Sequence, residues 1–235
     1  MTGHPAAPDV YPTLMADGVH PITSALAGEI AKNEHYLHRK PQIAHAFGLV
    51  RDMNVVGIIT FGPPASRHVQ IGAYRDDPNV VIELNRMWVH DDMPRNTESA
   101  FIARALAQMP RHIVVSYADT AWGHVGTVYR AANFHYAGWT DMDRKTPRFD
   151  YIPVNGGHSR NAYRAAGGGI KEKVRRKPKV KYWTTTGTPT DRKALTARCG
   201  WPRMDWKTTP PPTPQDATAA IHQLLTSPAP AGHFS

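Results

Sequence analysis

Residues 113–138 read I-V-V-S-Y-A-D-T-A-W-G-H-V-G-T-V-Y-R-A-A-N-F-H-Y-A-G. The apolar run Ile113-Val114-Val115 predicts a buried strand, with Ser116, Tyr117 and Asp119 at its C-terminal end, where open α/β sheets bind ligands. After Gly123, the spacing of Val125, Val128, Tyr129 and Ala132 predicts a short helix with one apolar face, and Asn133 hands over to a strand from Phe134 to Trp139. Strand, turn, helix and strand thus follow one another with polar side chains concentrated at the turn, which makes this stretch the first candidate for a functional site.

Working outward, Ile22, Leu26 and Ile30 predict a helix toward Asn33, with His35 and Tyr36 just past its end. Ala44–Val50 and Val55–Phe61 read as strands joined in a hairpin at Asp52-Met53-Asn54. Gly62-Pro63-Pro64 ends the second. A third strand, Val80–Val89, is apolar except at Glu83, Asn85 and Arg86, an interruption that suggests a site-lining strand. Pro94 and Asn96 announce a helix, with Asn96 as N-cap and Ile102, Ala105, Leu106 and Met109 at helical spacing. Arg148–Val154 offers one more strand. This order predicts a mixed α/β sheet.

Composition bounds the rest. A chain of 235 residues has room for one good core and an appendage, and the reading divides it into a flexible leader 1–21, a catalytic domain 22–154 and a basic, Gly/Pro-rich extension 155–235. Pro210-Pro211-Pro212 with Pro214 suggests a stiff linker before a weak helix Ala217–Leu225. One cysteine, Cys199, excludes an internal disulfide and a thiolate zinc cluster. With no signal-like start and no spanning segment, a cytoplasmic location is expected.

Net charge is +9 and unevenly spread: Met1–Asp150 has 14 Lys+Arg against 15 Asp+Glu, and the remainder 14 against 4. Lys171, Lys173, Arg175, Arg176, Lys177, Lys179 and Lys181 crowd around Glu172, followed by Tyr182 and Trp183. Such a run suits a polyanion, with the aromatics as stacking surfaces for unpaired bases; a solvated basic tail is the alternative.

Strand, capped helix, strand and short helix ending in aromatic-glycine resemble the GNAT acyltransferase fold, with Tyr129 at the place of that fold's helical tyrosine. More specifically, H-Y-L at His35, P-P-A-S at Pro63, E-L-N-R at Glu83, N-T-E-S at Asn96, S-Y-A-D at Ser116 and G-H-V-G at Gly123 occur in the order found in the bacteriophage Mom family. The likeness spans roughly 33–138. It implies a mostly antiparallel GNAT-like sheet and an enzyme of phage-infected bacteria that converts the exocyclic amine of adenine in double-stranded DNA to a carbamoylmethylamino group, protecting the DNA from restriction. To reach that amine the enzyme must flip the base.

The donor is left open between acyl-CoA and glycyl-tRNA. GNAT enzymes hold a pyrophosphate at a helix N-terminus through a glycine-bearing turn, whereas Arg95–Ala100 here carries Glu98 at the glycine position, a negative charge where phosphate would lie. Glycine supplies both missing atoms of the carbamoylmethyl product, so a glycyl transfer followed by rearrangement is the expected route, with the basic tail serving tRNA or DNA.

Under this resemblance Asp119 is the first candidate for general base or for orienting the amine, with a helix N-cap as its structural alternative. Ser116 and Tyr117 face opposite ways in a strand, so only one meets substrate; Ser116 is preferred. His124 is a candidate proton shuttle and Tyr129 a candidate acid, against surface and core positions respectively. His35 and Tyr36 are candidates to line the cleft or stack on a base. Iron is invoked for the family, and His35 with Asp119 makes a partial ligand set, but no spaced His and carboxylate motif exists, so the reading is without metal. Arg86, Asn96 and Ser99 are candidate donor contacts, with a Glu83 ion pair as the alternative for Arg86. Ser66 and Arg67 are candidate DNA contacts or a surface turn. Trp88, Trp122 and Trp139 are candidate stackers. Two further functions remain: a conventional GNAT N-acetyltransferase acting on a small amine or aminoacyl-tRNA, and a non-catalytic DNA-binding protein.

Overall fold

The structure is a computed structural model and describes residues 11–13, 15–154 and 169–212. A seven-stranded sheet is built from β1 (Gly18–Pro21), β2 (His45–Arg51), β3 (Asn54–Gly62), β4 (Val81–Val89), β5 (Ile113–Asp119), β6 (His135–Trp139) and β9 (Lys179–Thr185), in the order β1-β2-β3-β4-β5-β9-β6. Every pair is antiparallel except β4 with β5. The sheet is therefore mixed and mostly antiparallel, as expected for a GNAT-like α/β fold. A separate two-stranded ribbon is formed by β7 (Phe149–Pro153) and β8 (Ile170–Arg175).

Helices cover both faces. On one lie α3 (Thr97–Ala107) and α4 (Thr127–Ala131), whose Phe101, Ile102, Ala105 and Tyr129 pack with Ile59, Ile82, Val114 and Tyr182. On the other lie α1 (Ser24–Asn33), with Ile30 and Ala31 against Val50 and Ile58, then α2 (Arg67–Ala73) and α5 (Pro189–Arg198) against Val81, Ile113 and Trp183. The hairpin between β2 and β3 turns on Asp52 and Met53, both at positive φ, which gives the backbone twist that a two-residue turn between twisted strands requires.

Several expectations are corrected. The leader does not run loose to Pro21, because Gly18–Pro21 pairs with β2 as the edge strand. The boundary at Val154 does not divide the sheet: β9 comes from beyond it and is inserted between β5 and β6. Tyr182 and Trp183 are consequently core residues, 0% and 1% exposed, and not stacking surfaces. Burying each contributes on the order of 2–3 kcal/mol, which outweighs the charge of the neighbouring lysines in deciding where the segment goes. Pro63-Pro64 is followed by α2, which Ser66 caps by accepting from His68 N. Met1–Val10, Gly156-Gly157, Gly167-Gly168, Pro214 and Ala217–Leu225 lie outside the described residues. Among the described residues no helix is long and apolar enough to cross a membrane.

Candidate active site

The parallel ladder of β4 and β5 ends at Leu84 opposite Ser116. Beyond it β4 keeps pairing with β3 as far as Val89, while β5 pairs with β9 out to Asp119 opposite Lys179. The two strands therefore part company, and a fork opens at the C-terminal end of the parallel pair. Local chemistry enforces this. The register of β3 on β4 shifts at Thr60/Phe61, so that Asn85 is an extra residue in β4. Its side chain pins the bulge, accepting from Thr60 Oγ1 at 2.6 Å and donating to the Gln42 carbonyl at 2.9 Å.

Ser116 sits fully buried at the apex, where its hydroxyl donates to the Leu84 carbonyl at 3.1 Å. It also shares a hydrogen bond with the phenol of Tyr129, whose burial pushes its pKa up to about 12. By strand alternation Ser116 and Tyr129 belong to the α3/α4 layer, whereas Glu83, Tyr117 and Asp119 face the layer of α1, α2 and α5. The fork is where the two layers meet electrostatically.

In the second layer Arg86 is half-buried, its Nη1 donating to the Asn85 carbonyl at 2.5 Å and its Nε buried with no hydrogen-bond partner. Such an orphaned donor is costly unless a ligand satisfies it. Burial raises the pKa of Glu83, opposed by the Ala65 amide and by Lys179 and Arg86. Asp119 accepts from Ala121 N at 3.0 Å through Oδ1 and pairs with Lys179 Nζ at 2.8 Å through Oδ2. It is thus an N-cap, of the 3₁₀ turn Thr120–Trp122, as well as a member of the site.

The mouth is aromatic. His35 is buried and stacks on Tyr36 with ring centroids 4.2 Å apart; Tyr36 in turn lies 4.9 Å from Trp122 and 5.9 Å from His124. Trp122 is 57% exposed, a large apolar surface held at the rim by neighbours. Burial first, and then Arg86, His38 and His124, lower the pKa of His35 to about 4, so the imidazole is neutral at physiological pH. His35 Nδ1 accepts from Leu37 N at 3.1 Å, which places its proton on Nε2 as a donor. Burial and the Asp119 charge raise the pKa of Tyr36.

The structure thus gathers His35, Tyr36, Arg86, Ser116, Asp119, His124 and Tyr129, together with Glu83 and Lys179. Asn96 and Ser99 stand apart at the start of α3: Asn96 is left-handed with no side-chain cap bond, and Ser99 Oγ donates to its carbonyl at 3.1 Å. Among the described residues no hydrogen bond or ion pair joins them to the fork. Arg67 bonds Gln70 and Asn79. Of the basic run, Lys171, Lys173 and Arg175 are on β8, Arg176 and Lys177 in the following turn, and Lys179 and Lys181 on β9. Arg176 pairs with Asp150, and Lys181 lies over the Trp201 ring at 5.5 Å. In the sequence Glu83 reads only as a polar interruption of a site-lining strand and as an ion-pair partner for Arg86; its burial beside Lys179 and Arg86 makes it a candidate in its own right.

His35 and Asp119 do not fit an iron site. His35 Nδ1 and both Asp119 oxygens already have partners, and among the described residues no three His, Cys, Asp or Glu side chains are grouped as a metal would need.

A mixed, mostly antiparallel sheet that forks between its two parallel strands, with polar and aromatic side chains gathered at the fork, defines an α/β protein. The chain belongs to the Mom protein family, whose model matches residues 18–189. It is 35% identical over 130 residues to the methylcarbamoylase mom of Escherichia phage Mu, covering 51% of this chain and 53% of that protein; the chain thus spans about half the length of this relative. Among solved structures, a GNAT superfamily phosphinothricin acetyltransferase from Sinorhizobium meliloti, in complex with AcCoA, aligns over 74% of this chain and 90% of its own with a TM-score of 0.42 and 10% identity.

Proposed function

We propose that this protein is a transferase that modifies the exocyclic amine of adenine in duplex DNA, adding a carbamoylmethyl group. The observation that carries the reading is the fork itself: an unpartnered buried guanidinium Nε and a carboxylate of raised pKa lie behind an exposed aromatic rim, in a chain of the Mom family. Trp122 and Tyr36 offer a stacking surface to an extruded base, offsetting an unstacking cost of a few kcal/mol. Glu83, whose raised pKa suits a proton acceptor, receives the amine proton; Lys179 and Asp119 fix the local charge. Neutral His35 donates through Nε2, and Arg86 Nε holds the carbonyl oxygen of the donor as negative charge develops on it.

The donor in this reading is an acyl or glycyl carrier, and a glycyl ester of tRNA supplies the right atoms. The adenine amine attacks the ester carbonyl, the tRNA hydroxyl leaves with a proton, and an N-glycyl adenine forms. The glycyl amine then attacks the ring carbon through a five-membered intermediate. Breaking the bond from that carbon to the original nitrogen turns the latter into the terminal carboxamide. An acyl-CoA donor would occupy the amides at the start of α3, where Glu98 in the first turn opposes a phosphate.

Mass spectrometry of nucleosides from DNA of cells expressing the chain tests the function. A deoxyadenosine carrying an added CH2–CO–NH2 in place of one hydrogen is expected, and unmodified adenine throughout would overturn the reading. Labelling the adenine amine with heavy nitrogen tests the route: label in the carboxamide supports rearrangement, and label still bonded to the ring removes it.

A further inference from the structure

The β7–β8 ribbon stands outside the seven-stranded sheet, and its register sorts its side chains into two unlike faces. Directly opposed residues of an antiparallel pair point the same way. Phe149 opposes Arg175 and Tyr151 opposes Lys173, so one face carries two aromatics and two cations with no carboxylate. Asp150 opposes Val174 and Ile152 opposes Glu172, so the other face is apolar and acidic. Lys171 stands at the bulge where the pairing shifts past Ile152. The contacts agree with this sorting: Lys173 Nζ lies 4.2 Å from the Phe149 ring centroid, and Asp150 is neutralised by Arg176 from the turn. Lys173 and Arg175 are exposed and, among the described residues, pair with no carboxylate, while Tyr151 is 37% exposed.

We propose that the Phe149–Tyr151–Lys173–Arg175 face of this ribbon is a duplex-DNA docking surface that seats in a groove and holds the helix while the fork works on the extruded base. A two-stranded ribbon matches the width of the major groove, and a face of exposed cations that meet no carboxylate among the described residues, flanked by aromatic edges, matches the phosphate walls and base edges within. The charge separation also fixes which side turns to the nucleic acid: the other side carries Ile152, Val174 and the carboxylate of Glu172, and its Asp150 is already paired with Arg176. This proposal rests on the DNA-modifying reading above and names where its substrate is gripped.

The test is equilibrium binding of the full chain to a fluorescent duplex oligonucleotide over a salt series, with no donor present. Each phosphate neutralised contributes roughly 0.9 to the slope of log affinity against log salt. The double variant Lys173→Gln, Arg175→Gln should therefore flatten the slope by about 2. The charge-conserving pair Lys173→Arg, Arg175→Lys should restore it, and Glu172→Gln on the opposite face should leave it unchanged. An unaltered slope in the neutralised variant, or equal losses from both faces, overturns the docking assignment. So does tighter, ribbon-dependent binding to an RNA hairpin of the same length, which would make RNA the partner. Ribbon-dependent DNA binding without any modified adenine would instead overturn the activity and leave the docking surface standing.

Discussion

The hydroxyl of Ser116 donates to the carbonyl of Leu84 across the last rung between β5 and β4, and this contact marks the point where the strands separate. Ser116→Ala leaves that buried carbonyl and the Tyr129 phenol each short of a partner. Urea denaturation should show a loss of about 1–3 kcal/mol, the usual cost of an unsatisfied buried polar group. Adenine modification should fall with it, because the apex no longer fixes the angle between the strands.

Glu83 separates stability from activity. Its pKa in the folded protein lies above the ordinary value, so its ionised form is disfavoured by folding and stability is lost as pH rises through that raised value. Glu83→Gln should be more heat-stable than the parent at pH 8 and nearly equal to it at pH 4. The modification rate of the variant should collapse, since the carboxylate of Asp119 is held by Lys179 and by Ala121 N. A variant with full activity would exclude Glu83 as proton acceptor.

His35 runs the other way. Its pKa is lowered from 6.5 to about 4, so the unfolded chain binds the proton more readily and stability falls as pH drops from 6.5 toward 4. The shift corresponds to about 3 kcal/mol lost across that window. His35→Asn keeps an acceptor for Leu37 N and removes the titration, so denaturation midpoints measured from pH 7 to 4 should lose most of their slope.

Trp122→Ala removes an exposed ring, so the melting temperature should barely move, within the roughly 0.5 kcal/mol typical of surface changes. If the ring stacks on the extruded base, affinity for DNA bearing an unpaired adenine should fall roughly 10- to 100-fold, the equivalent of about 1–3 kcal/mol per stacked base. Fluorescence titration with a mismatched duplex reads this directly.

Asp119 holds a turn and balances a cation, and two substitutions separate these tasks. Asn caps as well as Asp, so Asp119→Asn should keep stability while leaving Lys179 unbalanced. Asp119→Ala also loses the cap to Ala121 N, at about 0.5–2 kcal/mol. Modification assays on both variants, normalised to folded protein, show whether the charge itself serves the reaction.

The strands flanked by clear turn signals were legible in the sequence to within a residue or two: β2 and β3 around Asp52-Met53, β4 to Val89, and β5 from Ile113. The fork was not, because it depends on where pairing between strands distant in the chain stops. The signal for Asn85 as a bulge was only a polar residue in an apolar run. β9 was hidden by its own charge: Lys179, Lys181 and the preceding basic run drew attention away from Val180, Tyr182 and Trp183. Those three are apolar residues of the kind that pack on a pleated surface, and burial decided the matter. Glu83 stood in a short motif and Lys179 in the basic run, but their places beside Arg86 and Asp119 were not legible, since each matters through neighbours contributed by other elements.

Because β9 lies between β5 and β6, a nascent chain cannot complete the sheet around the fork until Thr185 has left the ribosome. A translation product broken off after β6 would already hold nearly every fork residue, yet it would expose the flank of β5 and leave Asp119 without its countercharge. A chain that stops short of Lys179 therefore lacks both the strand that covers β5 and the cation beside Asp119, so the fork is completed by residues some sixty positions beyond the strand that carries it.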